Sequence, residues 1–201
     1  SFGHPLVFPK FSVLDPAVTY SLPDRQVANG IVDAFVHVTE QYLTYPVNAH
    51  IQDRWAEGIL QTLVEMGLKV LANPANYDIR ANIMWSATLA TNGTLSLGVP
   101  TDWATHTIGH ELTAFFGLDH AVTLAIVLPS LLRETRDEKK EKLLQFGKRI
   151  WGIENGPDNS RVDEVIEKTE VFFRSLGIKT KLAEHGIVKE QLAPIVERFA
   201  L

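Results

Sequence analysis

The sequence predicts an all-α fold, a helical bundle, on three observations. From about residue 22 onward, apolar residues recur at helical spacing. The breaks between these periodic segments are turn-forming: Asn73-Pro74, Gly98 to Pro100, Gly117 to Asp119, Gly152 to Ser160, and Leu176 to Lys179. The composition, 45% hydrophobic and 21% charged over 201 residues, suffices for one ordinary hydrophobic core.

Residues 1–20 are rich in proline and β-formers and predict an extended lead-in; residues 21–201 form the helical domain. Pro23 suits a first helical turn, and Val27, Ile31, Phe35, Val38 and Tyr42 recur at helical spacing until Pro46 ends the run. Further helices are expected at about 48–72, 76–97, 102–116, 119–134, 137–151, 160–176 and 188–200. The charge run at 133–142, RETRDEKKEK, predicts a solvated turn and helix face. The four tryptophans, Trp55, Trp85, Trp103 and Trp151, fall within apolar helical patterns and are expected in the core.

A net charge of -5 offers neither a nucleic-acid footprint nor a patch for an anionic membrane. No apolar run reaches the length of a membrane span, and the first residues lack the order of a signal peptide, so the expectation is a soluble cytoplasmic protein with small-molecule partners. There is no cysteine, so any metal must be held by His, Asp or Glu.

Residues 109–123, GHELTAFFGLDHAVT, contain the HExxHxxGxxH pattern of zinc proteases except that Ala114 replaces the middle histidine. Two ligands remain, and neither Met66 nor Met84 lies downstream to form a Met-turn, so the protease reading fails. Other histidines are better placed. Asp33 and His37 are four apart and project away from the apolar stripe of their helix, beside Gly30 and Ala34. His106 and His110 share the polar side of the next histidine-bearing helix, opposite Ile108, Leu112 and Phe115. Gly117 is a natural terminator and Asp119 a natural N-cap, which sets His120 in a first helical turn, where the helix dipole favours the neutral imidazole. Asp33, His37, His106 and His120 together offer one carboxylate and three imidazoles, a set suited to Fe²⁺ or Zn²⁺. Asp–His pairs at this spacing also decorate solvated helices, so on the residues alone a metal site and a plain polar face both stay open. His4, His50 and His185 have no such company and read as solvent-facing or structural.

Two stretches, VANGIVDAFVHVTEQYL at 27–43 and DWATHTIGHELTAFFGLDHAVTLAIVLP at 102–129, resemble the iron-containing alcohol dehydrogenases, in particular their bacterial NADPH-dependent butanol dehydrogenase and aldehyde reductase branch. The resemblance implies that Asp33, His37, His106 and His120 are the metal ligands and that His110 lies near the nicotinamide and the reacting carbon, with a catalytic part in proton relay. It implies an enzyme that interconverts aldehydes and primary alcohols with NADP, as a homodimer. It also implies a two-domain, dehydroquinate synthase-like fold whose N-terminal α/β half carries a glycine-rich phosphate loop. No Gly-Gly dipeptide occurs here, so this chain resembles the C-terminal helical half, and alone it is expected to bind metal but to show neither saturable NADPH binding nor turnover. The rivals are a dehydroquinate synthase-like lyase, another helical metalloenzyme, and a catalytically silent helical fragment; a di-iron bundle would need paired ExxH signatures, which are missing.

Overall fold

The computed structural model describes residues 4–200 and is all-α, with no strand among the described residues. Its helices are α1 (Asp24–Tyr42), α2 (His50–Ala72), α3 (Tyr77–Thr91), α4 (Ala104–Phe116), α5 (His120–Glu134), α6 (Lys140–Phe146), α7 (Asp158–Ser175) and α8 (Ala193–Phe199). The sequence places each helix correctly and misjudges some ends. α3 stops at Thr91 rather than near 97, and α6 gives way to a π-helical turn at Gly147–Trp151. The last segment begins as a short 3-10 turn, Lys189–Leu192, before α8.

The lead-in carries 3-10 turns at Pro5–Val7 and Pro16–Thr19 and is otherwise irregular; its residues 1–3 lie outside the described residues. Its large apolar side chains face outward, among them Leu6, Phe8, Phe11 and Val13.

α1 is the central helix, packed against α2, α3 and α5, while α4 pairs with α5 and α7 lies against α5 and α6. Its sequence explains that position. Beyond the periodic stripe it carries Ala28, Val32, Ala34 and Val36, all buried, so it is apolar almost all round and needs neighbours on nearly every side. The open part of its surface is where exposed Gly30 and half-buried Asp33 and His37 lie. Below it, Phe35 is fully buried and meets Phe146, Phe172 and Phe173 at ring separations of 6.2, 5.4 and 5.4 Å.

Two expectations about packing are corrected. Trp55, Trp85 and Trp103 are 49%, 55% and 39% exposed; only Trp151 packs on the core, against Phe146 and Phe172. An indole is large enough to satisfy an apolar period while lying on the rim of a groove, as Trp55 and Trp85 do between α2 and α3. The charge run is not simply solvated either. Lys142 is only 3% exposed, bonded to Asp53 at 2.8 Å and seated over the Tyr42 ring, while Lys139 pairs with Asp102, Arg136 with Asp163 and Arg133 with Glu170. Charge patterning cannot reveal this, because the partners come from other segments of the chain.

Candidate metal centre

α1 and the α4–α5 pair build the site. α4 ends at Gly117, which takes a left-handed conformation (φ 66°) that a side chain would disfavour, and the chain reverses directly into α5. The two helices then run close together at Gly109, where a Cβ would lie 2.9 Å from Thr123 Oγ1. This close approach brings the His106 and His110 side of α4 against the first turn of α5, so that the His106 and His120 rings are 5.2 Å apart and those of His110 and His120 stack at 5.0 Å.

Asp33, His37 and His106 each present one donor atom, and the three atoms lie within 4.8 Å of one another. His120 joins from the α5 side, its Nε2 3.4 Å from Asp33 Oδ1. The four residues singled out in the sequence are thus neighbours. His110 is exposed, its ring 5.0 Å from that of His120 and 6.2 Å from that of His106. His4 and His50 are exposed, and half-buried His185 lines a cleft of about 570 Å³ that also includes Arg25, Asn29 and Asp119.

Hydrogen bonding determines which nitrogen each ring offers. His37 Nδ1 lies 2.9 Å from the Asp33 carbonyl, which can only accept, so this nitrogen carries the proton and Nε2 keeps its lone pair. His106 Nδ1 is bonded to the carboxylate of Glu40, with the same consequence. Burial holds the His120 imidazole below the usual histidine range, and His106, His110 and His37 add to this effect against the opposing pull of Asp33. The sequence expects a neutral His120 from the helix dipole; here burial is the leading cause.

Two atoms of the cluster, Asp33 Oδ1 and His106 Nε2, are buried without a hydrogen-bond partner. Such atoms are costly unless something else satisfies them. One carboxylate oxygen and one imidazole nitrogen, both orphaned and beside the donor atoms of His37 and His120, fit a divalent Fe or Zn ion.

Four contributors escape the sequence reading. Glu40 lies one turn beyond His37; the spacing 33, 37, 40 continues one helix face and is the signal that could have exposed it. Trp103 sets its ring 5.8 Å from that of His37 and 5.4 Å from that of His106. Arg25 and Asn29 hold the Asp119 carboxylate at 2.8 and 2.9 Å. Asp119 therefore occupies the N-cap position of α5 without its side chain bonding the helix amides, a correction to its expected capping role.

An all-helical domain with such a cluster between a DxxxH helix and an HxxxH helix pair belongs to a recognisable class. The chain is a member of the Fe-containing alcohol dehydrogenase family, residues 27–200 matching the family's C-terminal region. It is 57% identical over 193 residues to the NADPH-dependent aldehyde reductase YqhD of Escherichia coli, a match covering 96% of this chain and 50% of that protein. Over 192 residues it is 40% identical to NADH-dependent butanol dehydrogenase A of Clostridium acetobutylicum, covering 94% of this chain and 49% of that one. The substrate- and cofactor-free structure of the E. coli aldehyde reductase superposes with a TM-score of 0.95 at 57% identity, over 96% of this chain and 51% of that structure. The chain thus spans about half the length of the relatives it matches.

Proposed function

We propose that this chain is the metal- and substrate-bearing half of an NAD(P)-dependent alcohol dehydrogenase or aldehyde reductase, which interconverts aldehydes and primary alcohols by hydride transfer. The observation that carries the reading is the meeting of Asp33, His37 and His106 within 4.8 Å, with Asp33 Oδ1 and His106 Nε2 buried and unpartnered. In this reading Asp33, His37, His106 and His120 hold one Fe²⁺ or Zn²⁺ ion. When bound, such an ion supplies Lewis acidity toward a carbonyl oxygen.

The chain's own residues supply the rest. His37 and His106 are tied at Nδ1 and offer fixed Nε2 lone pairs. His120, kept neutral, offers a nitrogen that no proton blocks near pH 7. His110, exposed and stacked on His120, would serve as the proton relay once the nicotinamide is bound. NADP is the favoured cofactor on the strength of the 57% identical relative's name. Its phosphates belong to an α/β half, because no glycine-rich loop opens a helix in this sequence. In a protein of the relatives' length, residues 1–20 lead in from that half and 21–201 form the metal-binding domain; the outward apolar side chains of the lead-in support the division. Small aldehydes and alcohols as substrates, a homodimer and a cytoplasmic location complete the proposal; among the described residues no helix is long and apolar enough to cross a membrane.

The test separates neighbouring histidines in the full-length protein. His120→Ala is expected to lose metal and NADPH-dependent aldehyde reduction together. His110→Ala is expected to retain metal while its rate falls about 10²–10⁴-fold. Metal analysis decides between them: loss of the ion from His110→Ala, or its full retention in His120→Ala, overturns the assignment.

A further inference from the structure

We propose that Glu40 is the positioning residue of the centre: its carboxylate holds His106 in the one tautomer and ring orientation that turn Nε2 toward Asp33 and His37. The inference rests on the metal-centre reading above. Glu40 is 4% exposed, and its only salt-bridge partner among the described residues is His106. A carboxylate buried so deeply, without lysine or arginine, is costly unless each oxygen has a defined donor.

Both oxygens do. The Thr105 backbone N–H donates to Oε1 at 2.6 Å, and His106 Nδ1 is bonded to Oε2. The first of these bonds has a local cause. Trp103 occupies the N-cap position of α4 and has no side-chain acceptor to offer, so the first amides of the helix need partners from elsewhere. Asp102 Oδ1 takes the Ala104 N–H, and Glu40, reaching across from α1, takes that of Thr105. The Asp102 N–H in turn donates to the Glu40 carbonyl at 2.9 Å, so the start of α4 is clamped onto α1 through backbone and side chain of the same residue. With Oε1 committed to the helix start, Oε2 is aimed at the next ring, and its charge is favoured by the positive end of α4.

For the neutral His106 ring the chemistry of the pair then has one solution. An ionised carboxylate only accepts, so Nδ1 of His106 carries the proton and Nε2 is left as a lone pair. That Nε2 is buried and unpartnered, and its ring lies 4.2 Å from the ring of His37. A carboxylate behind the distal nitrogen of a metal-facing imidazole fixes its orientation and raises its basicity. Glutamine at position 40 would disturb this without changing the volume. If its amide oxygen accepts from Thr105, its NH₂ faces Nδ1, which must then accept, and the proton moves to Nε2 on the metal side.

The experiment reads the tautomer first, by ¹⁵N NMR of the His106 ring in metal-free full-length protein, and then the Zn²⁺ affinity by titration. Wild type is expected to carry the proton on Nδ1, Glu40→Gln to shift toward the Nε2-protonated form, and its Zn²⁺ dissociation constant to rise about 10- to 100-fold. A wild-type ring protonated on Nε2, or a Glu40→Gln protein with unchanged tautomer and Zn²⁺ affinity, overturns the proposal. Failure of the centre itself looks different: Asp33→Ala and His37→Ala would leave Zn²⁺ binding unchanged, and the tautomer in the metal-free protein would still decide the role of Glu40.

Discussion

Gly109→Ala tests whether the close approach of α4 and α5 assembles the site. An added Cβ would lie 2.9 Å from Thr123 Oγ1 and 3.1 Å from Leu124 Cδ2, where comfortable carbon contacts begin at about 3.5 Å. Thr123 has no room to yield: it is fully buried, and its hydroxyl donates to the His120 carbonyl at 2.7 Å. The helices must therefore separate by about half an ångström, and overpacking of this kind costs about 1–3 kcal/mol. Alanine's better helix propensity returns about 1 kcal/mol, leaving a net loss of about 0–2 kcal/mol. Gly58→Ala on exposed α2 isolates the propensity part, because nothing lies within 4 Å of its would-be Cβ. Thermal melts in chelator should show Gly58→Ala stabilised by up to about 1 kcal/mol and Gly109→Ala lower than it by about 1–3 kcal/mol, each kcal/mol moving Tm by about 2–4 °C in a chain of this size. Because His106 and His120 lie on the two separated helices and metal distances tolerate only about 0.2 Å, Zn²⁺ affinity should weaken as well. If Gly109→Ala melts as high as Gly58→Ala and binds Zn²⁺ like wild type, the packing argument is wrong.

Removing the buried Lys142 by Lys142→Ala leaves Asp53 without its cation and is expected to cost about 3 kcal/mol in urea denaturation; a change within about 0.5 kcal/mol would mean the residue behaves as solvated surface. Asp102 gives a pH signature. Burial alone would raise its pKa, but the hydrogen bonds from Lys139 and the Ala104 N–H, with the charge of Lys139, outweigh burial and hold the carboxyl below its usual range. A depressed folded-state pKa means a contribution fully present above the unfolded value of about 3.9 and lost as pH falls through the folded value. Lys139→Met should therefore be less stable than wild type at pH 7, by under about 1 kcal/mol given the partial exposure of Asp102, and the gap should close on acidification. A gap independent of pH down to acid unfolding would count against the ion pair as its source.

The sequence by itself determined the helices and the chemistry of the polar faces, because helical periodicity, proline, and glycine at a left-handed position act over a few residues. Asp33 with His37, and His106 with His110, were legible for that reason: spacing alone assigns them to a face. The meeting of those faces is a different matter. It depends on α4 approaching α5 at Gly109 and on α1 being buried by three neighbours, and these are contacts between distant segments that no local period encodes. Glu40 is bonded to a ring 66 positions away, Lys142 lies buried against Asp53, and the exposed Trp55 and Trp85 line a groove instead of filling the core. Only the tertiary structure decided these, since the cost of burying a charge or exposing an indole depends on what the rest of the chain places beside it.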